Sequence, residues 1–295
     1  MKLSITDSCA VAPEGYKTDK YKFQYIKDCG FDACDFHISC VSGNPATDEE
    51  MKEKCLEIKA AADAAGVEIY QTHGAGGGGW KPENEQAMIE TMIRDIKCTH
   101  WLGSKYCIIH PAILRTRVYE VNKEESIEIA TRVYAALKDT LEEYDVYCCL
   151  ENMWNADPIF KHICPTILSR CQEMVDMCNE LGDRYKICVD TGHGELTGDD
   201  PVEMIRIAGD KLVALHAHHT DSMSDLHTFP FMPNKINKHA TRNDWHEMMK
   251  ALKEVGYKGT LSFEIVVPGP APLNKAGLEC LAAIGRYLVA SVEGE

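Results

Sequence analysis

The chain has no stretch approaching the roughly 20 consecutive apolar residues of a membrane-spanning helix, so it is not expected to cross a bilayer. Its first residues, with Asp7 already among them, lack the apolar run of a secretory signal, and a cytoplasmic location is the expectation. Positive charge is also scarce. Lys and Arg number 31 against 46 Asp and Glu, leaving −15 at pH 7. That balance disfavours nucleic acid and anionic membrane surfaces as partners, and it bears less on small-molecule catalysis, because a metal can hold local positive potential inside an acidic protein. Cys-x-x-Cys pairs are missing although there are 14 cysteines. Without an export signal, these read as reduced, small buried hydrophobes, not as a disulfide framework. The glycine-rich stretch 74–79 lacks the Lys-Ser/Thr of a P-loop, so it reads as a flap beside a site before a phosphate cradle.

What is present is alternation. Short apolar runs rich in β-branched residues read as strands at 2–6, 33–38, 67–73, 106–111, 146–150, 186–190, 212–215 and 260–263. Helical patterns lie between and after them, at about 21–29, 48–65, 84–102, 123–144, 165–181, 201–208, 244–255 and 273–292. Thr47 or Asp48 caps the second helix and Gly66 stops it, while Pro165 and Pro201 stand where an N1 proline belongs. Eight strand–helix units without a composition break predict a single-domain α/β protein over 1–295, a (β/α)8 TIM barrel. A doubly wound open sheet is the alternative. No repeat is visible at the level of residues.

Four of the strand-like runs end in a chemically useful residue: Glu151, Asp190, His216 and Glu264, and after Asp190 the chain is expected to break at Gly192. Carboxyl ends of strands are where parallel α/β folds assemble their sites. A charged side chain directly after an apolar strand core must pair or bind a cation to offset its desolvation. Carboxylates and an imidazole without thiolate suit Mn²⁺, Mg²⁺, Co²⁺ or Zn²⁺; buried pairing to Lys or Arg is the competing reading. Further histidines fall on the same face, namely His73, His110, His193, His218 and His219, with Asp225 and His227 in the loop after strand seven. They imply either a second metal or polar contacts to a hydroxylated ligand. Trp80, Trp154 and Phe229 could stack on a sugar, although aromatics at loop bases more often pack. Lys235, Lys238 and His239 read as solvated loop charge before an anion site.

Together His73, His110-Pro111, Leu150-Glu151-Asn152, Val189-Asp190-Thr191-Gly192-His193, His216-Ala217-His218, Asp225-Leu226-His227 and Phe263-Glu264 give the chain its likeness to a family. It resembles the xylose isomerase-like barrel superfamily, in its sugar phosphate isomerase/epimerase branch, over nearly its whole length. The ketose 3-epimerases of that superfamily imply one divalent ion, Mn²⁺ first, held by Glu151, Asp190, His216 and Glu264. They also imply that Glu151 and Glu264 flank the substrate carbon as acid and base, that His193 holds a substrate oxygen, and that Asp157 contacts substrate. His73, His110, His218, Asp225 and His227 are expected to complete carbohydrate binding. The epimerases' substrate-binding Arg is replaced by Ser222, a departure from the particular ketose epimerases. The implied chemistry is proton transfer through a metal-stabilised enediolate, giving an epimer or an aldose–ketose isomerisation.

Two other enzyme classes share the barrel. Lyases on oxo-sugars, similar to the catalytic subunit of C-glycoside deglycosidases, would add a small partner subunit, with 231–239 as its docking surface. Endonuclease IV-like phosphodiesterases use a trinuclear zinc site, and His73, His110, Glu151, Asp190, His193, His216, Asp225, His227 and Glu264 are candidates for all of it. The acidic balance speaks against DNA. A metal-stabilised binding protein without chemistry would have no use for both glutamates. Barrels of this kind commonly pair, so a homo-oligomer is an expected state.

Overall fold

The computed structural model describes residues 1–9, 19–42, 47–232, 244–265, 267 and 271–293. Eight parallel strands carry the fold: β1 (Leu3–Thr6), β2 (Ala33–His37), β3 (Glu68–His73), β4 (Tyr106–Ile109), β5 (Tyr147–Glu151), β6 (Tyr185–Asp190), β7 (Leu212–His216) and β8 (Leu261–Phe263). From β1 to β7 each pairs with the next in chain order, and β1 pairs with β8 in the register Leu3–Leu261 and Ile5–Phe263. The ring is completed by a parallel bridge from Ala217 to Phe263, where the Ala217 N–H donates to the Ser262 carbonyl at 2.8 Å. Pairing of the first strand with the last excludes the doubly wound open sheet. The chain is the expected (β/α)8 TIM barrel.

Strand periodicity then decides which residues meet. Alternate residues point to opposite faces, towards the helices or towards the barrel axis. Leu150, Val189, Leu215, Cys34 and Phe263 belong to the large core shared with the helices. Ile108, Cys149, Cys188 and Ala214 form a second, separate apolar cluster on the other face. Glu151, Asp190 and His216 stand two residues beyond Cys149, Cys188 and Ala214, so they inherit the axial face one layer higher. By the same parity Asp35, His73, His110 and Glu264 point inward. Many cysteines thus have a packing reason: they are narrow side chains on crowded strands, and Cys34, Cys107, Cys148, Cys149 and Cys188 are fully buried. Burial pushes the Cys148, Cys149 and Cys188 thiols well up, so they stay protonated.

The surrounding helices are α1 (Asp19–Asp28), α2 (Asp48–Ala65), α3 (Glu85–Trp101), α4 (Lys123–Ala135), α5 (Lys138–Glu143), α6 (Cys171–Leu181), α7 (Thr191–Thr197), α8 (Pro201–Ala208), α9 (Trp245–Glu254) and α10 (Ala271–Glu293). The boundaries of α2 follow its caps. Thr47 and Glu50 form a reciprocal capping box, and Gly66 closes the helix in the left-handed region at φ 66°.

Three expectations need correction. The pattern over 123–144 is not one helix, because the Leu137 N–H donates to the Tyr134 carbonyl and tightens the turn between α4 and α5. Pro165 does not open a helix. It ends a short strand, Ile163–Pro165, paired with Trp154–Ala156, and α6 begins at Cys171. Gly192 does not break the chain into a loop either. The Asp190 carboxylate accepts the His193 N–H at 2.7 Å and caps α7, which leaves the strand without a linker. Glycine is needed there for space, since a Cβ on Gly192 would lie 2.0 Å from His218 Cε1.

No helix among the described residues is long and apolar enough to cross a membrane. Lys235, Lys238 and His239, and most of the segment 231–239, lie outside the described residues.

Candidate active site

His216 is the hub of the strand ends. Its Nδ1 lies 2.9 Å from Glu151 Oε1, 3.3 Å from Glu264 Oε2 and 4.0 Å from Asp190 Oδ2. One donor atom from each of Glu151, Asp190, His216 and Glu264 falls within 4.8 Å of all the others. The first three of these side chains are at most 1% exposed, and that of Glu264 is 13% exposed.

The donor set tests the idea of a cation directly. Three carboxylates this close repel one another, and desolvation removes the screening that would relieve them. Among the described residues their ion-pair partners are all histidines: His110, His193 and His216 for Glu151; His193, His216 and His218 for Asp190; His73, His216 and His227 for Glu264. The competing reading, burial against Lys or Arg, therefore finds no support there. A hard or borderline divalent ion fits the set.

Two further donor groups adjoin the first. Histidines 73 and 110 place their Nε2 atoms 3.1 Å apart, and His110 Nε2 lies 3.0 Å from Glu151 Oε2. On the other side, His193 Nε2 and His227 Nε2 lie 3.5 and 3.3 Å from Asp225 Oδ1. Each of the latter rings is oriented from behind, His193 Nδ1 by the Asn152 carbonyl at 2.9 Å and His227 Nδ1 by the Glu264 carbonyl at 2.8 Å. His218 joins this group through its ring, stacked on His227 at 3.9 Å, while its Nε2 contacts both Asp190 oxygens at 3.0 and 3.1 Å.

The electrostatics follow from these neighbours. Burial would raise the Glu151 carboxyl, but His216 and His110 beside it hold it well below the usual carboxylate range. His73 is kept neutral, first by burial and then by His216 and His110. Burial disfavours charge on His193 and His227 as well. Asp190 nevertheless lifts the first to about 10, and the bond to Asp225 lifts the second to about 9.

Above the donors opens a cavity of about 370 Å³. Glu151 and Glu264 line it, with His73, His110, His193, Asp225 and His227. Asp190, His216 and His218 are fully buried. Trp154 and Arg115 contribute to the walls, whereas Trp80 and Phe229 are partly buried against the core. Asp157 is committed elsewhere. Its Oδ1 accepts the N–H groups of Phe160 and Ile159, which hold the carboxyl below its ordinary value, and Oδ2 lies 3.5 Å from the Arg117 guanidinium. Ser222, itself half-buried, donates to the buried Glu195 carboxylate. The glycine stretch is tied down. Gly78–Gly79 pairs with Ala112–Ile113, and the Asp95 carboxylate on α3 accepts the Ala75 and Gly76 N–H groups, each at 2.9 Å. Those two amides are thereby taken from any phosphate.

Two residues, Asp35 and Asp95, escaped the sequence reading, and Asn152 was marked there only by its motif, without a role. Asp35 is fully buried, with Oδ2 at 2.8 Å from His216 Nε2; its signal was a carboxylate inside an apolar strand. Asn152 braces Asp190 by donating to its carbonyl at 2.8 Å and accepting its N–H at 2.7 Å. Asp95 sits mid-helix, and nothing in its helical pattern marks it.

A family model for the xylose isomerase-like TIM barrel matches residues 23–284. The chain belongs to that family. Among relatives of this xylose isomerase-like barrel, a D-psicose 3-epimerase of Enterocloster bolteae is 28% identical over 136 residues, 46% of this chain and 38% of the relative. The chain spans about half, or less, of the length of the curated relatives it matches. The fold of a 3-keto-D-glucoside 4-epimerase from E. coli is similar with a TM-score of 0.71 at 17% identity, covering 96% of this chain and 99% of that one. The IOLI protein with a binding zinc atom is similar with a TM-score of 0.70 at 16% identity, covering 98% of each chain. At such identities the structural likeness establishes the barrel alone.

Proposed function

We propose that this barrel is a divalent-metal-dependent sugar isomerase or epimerase that moves a proton at the carbon beside a carbonyl. One observation carries the proposal: Glu151 and Glu264 belong to the four-donor cage and also line the cavity, while Asp190 and His216 lie buried beneath them. Glu151, Asp190, His216 and Glu264 would hold the ion, with Mn²⁺ the first choice and Co²⁺, Mg²⁺ or Zn²⁺ compatible with the same donors. When bound, the ion supplies Lewis-acid polarisation of the sugar carbonyl.

The remaining chemistry falls to the chain's own side chains. Two carboxylates facing one cavity can take a proton from the substrate carbon and return one. Return to the opposite face gives an epimer; return to the neighbouring carbon interconverts aldose and ketose. His73, His110, His193, Asp225 and His227 line the cavity and are assigned to the sugar hydroxyls. A small carbohydrate as substrate is supported by relatives named D-psicose 3-epimerase and 3-keto-D-glucoside 4-epimerase. The test is incubation of Mn²⁺-loaded protein with a panel of ketoses in deuterium oxide. Deuterium enters beside the carbonyl with the native chain and fails to enter with Glu264→Gln that retains its metal. A panel without exchange in the loaded native protein rejects the assignment.

A second reading draws on the adjoining donors. The backbone carbonyls behind His193 and His227 aim both Nε2 atoms at Asp225, and Glu151 is shared with the His73–His110 pair. Three neighbouring ions would suit hydrolysis of a phosphate ester. The net charge of −15 opposes a nucleic-acid substrate. Metal analysis separates the two: about one equivalent supports the isomerase and about three the hydrolase.

A further inference from the structure

A buried carboxylate that touches the four-donor cage is used by neither reading. Asp35 on β2 is 0% exposed and lies at the barrel axis. Among the described residues its one ion-pair partner is His216, whose Nε2 stands 2.8 Å from Oδ2; Oδ1 is buried without a hydrogen bond. A carboxylate in such a place is costly unless a partner requires it. His216 faces the four-donor cage through Nδ1. An imidazole has one lone pair to give when neutral, so Nδ1 can serve a cation only if the proton sits on Nε2. The Asp35 carboxylate cannot donate and accepts that proton's hydrogen bond.

We propose that Asp35 is a positioning residue, fixing the His216 ring and its Nε2–H tautomer so that Nδ1 is permanently directed at the ion. The inference rests on the metal-dependent reading of the cage. His73 restrains the same ring from its face, stacked at 4.9 Å with planes 15° apart, but it leaves the choice of tautomer open. Among the described residues Asp35 alone contacts Nε2. Asp35, His73 and His216 also bring donor atoms within 4.8 Å of one another, so Asp35 as a ligand to an ion of its own is the rival that the experiment must exclude.

The experiment is titration calorimetry of the full chain, stripped of metal by a chelator, with Mn²⁺ and in parallel with Zn²⁺. Carboxylates that orient a metal-bound histidine typically contribute about 10- to 100-fold in affinity. Asp35→Asn keeps the volume and an acceptor oxygen but not the charge, and Asp35→Glu keeps the charge. The expected result is an affinity lowered about 10- to 100-fold in Asp35→Asn, partly restored in Asp35→Glu, with unchanged stoichiometry and unchanged far-UV circular dichroism. Equal affinity in the native protein and Asp35→Asn overturns the inference and leaves the metal reading standing. Loss of a whole equivalent of metal also overturns it, by making Asp35 a ligand. If the native chain binds neither ion, the metal reading itself falls. Should Asp35→Asn fail to fold, Asp35→Glu decides: a shifted carboxylate that leaves the affinity at its native value refutes positioning.

Discussion

Chelating the protein and then restoring a divalent ion gives the most direct test of the cage. Two carboxylate charges at 4.8 Å repel by about 3.5 kcal/mol at an effective dielectric of 20, and Glu151, Asp190 and Glu264 make three pairs whose donor atoms lie within that distance. One protonated imidazole relieves this only in part, whereas a dication attracts all three carboxylates at once. The ion should therefore bind the folded chain and not the unfolded one. At free metal about 1,000 times the dissociation constant, linkage adds about 4 kcal/mol to stability. Unfolding entropy of about 2.1 cal/mol/K per residue, taken over 295 residues, converts this to a rise of about 7 °C in melting temperature. The assay is thermal unfolding followed by circular dichroism at rising Mn²⁺, with Ca²⁺ as a larger control ion. Glu264→Gln removes one anionic ligand and should shrink the rise. A melting temperature indifferent to Mn²⁺, Co²⁺ and Zn²⁺ would show that the four donors hold no ion and that histidine protons alone balance their charge.

Other outcomes follow from the same geometry. Burial disfavours a charged His216, yet Glu264, Glu151 and Asp35 around it raise its pKa well above the ordinary value, so near neutrality the metal-free ring carries a second proton. Metal must displace it, so affinity falls as pH is lowered; calorimetry in buffers of different ionisation enthalpy should register about one proton released per ion. Gly192→Ala thrusts a Cβ to 2.0 Å from the His218 ring, and a cost of about 1–3 kcal/mol or more is expected from urea unfolding, with weakened metal binding. Arg115 lines the cavity and, among the described residues, has no carboxylate partner, so Arg115→Gln should raise KM for a phosphorylated sugar about 10-fold or more and leave KM for the neutral sugar nearly unchanged. An equal change for both sugars would remove Arg115 from anion recognition.

Much of this was legible in the residues because strands bury both faces. A carboxylate or imidazole that directly follows Leu150, Val189, Leu215 or Phe263 has no solvent to turn to, so Glu151, Asp190, His216 and Glu264 stand out without coordinates. Period two even fixes their common direction, since Cys149, Cys188 and Ala214 precede three of them on the axial face. Asp35 stayed hidden because it interrupts its strand where a surface acid might equally sit, and only closure of the ring brings it under His216. Pro165 misled for a local reason. Proline suits a first helical turn, but here the hairpin between Trp154–Ala156 and Ile163–Pro165 claims it, and the helix waits for Cys171. The short helix α7 was invisible because its cap, Asp190, was already assigned to the cage, and Gly192 just after it reads as a break.

The narrow sulfur-bearing side chains on the strands leave the native surface with few reactive thiols. Cys40 and Cys280 are exposed, Cys164 is half-covered, and the other ten free cysteines described are shut in. Among these thirteen, a thiol-labelling reagent should therefore stop after two or three additions on the intact molecule. Every adduct on one of the ten buried thiols marks a moment when the fold has opened, which makes the chain its own stopwatch.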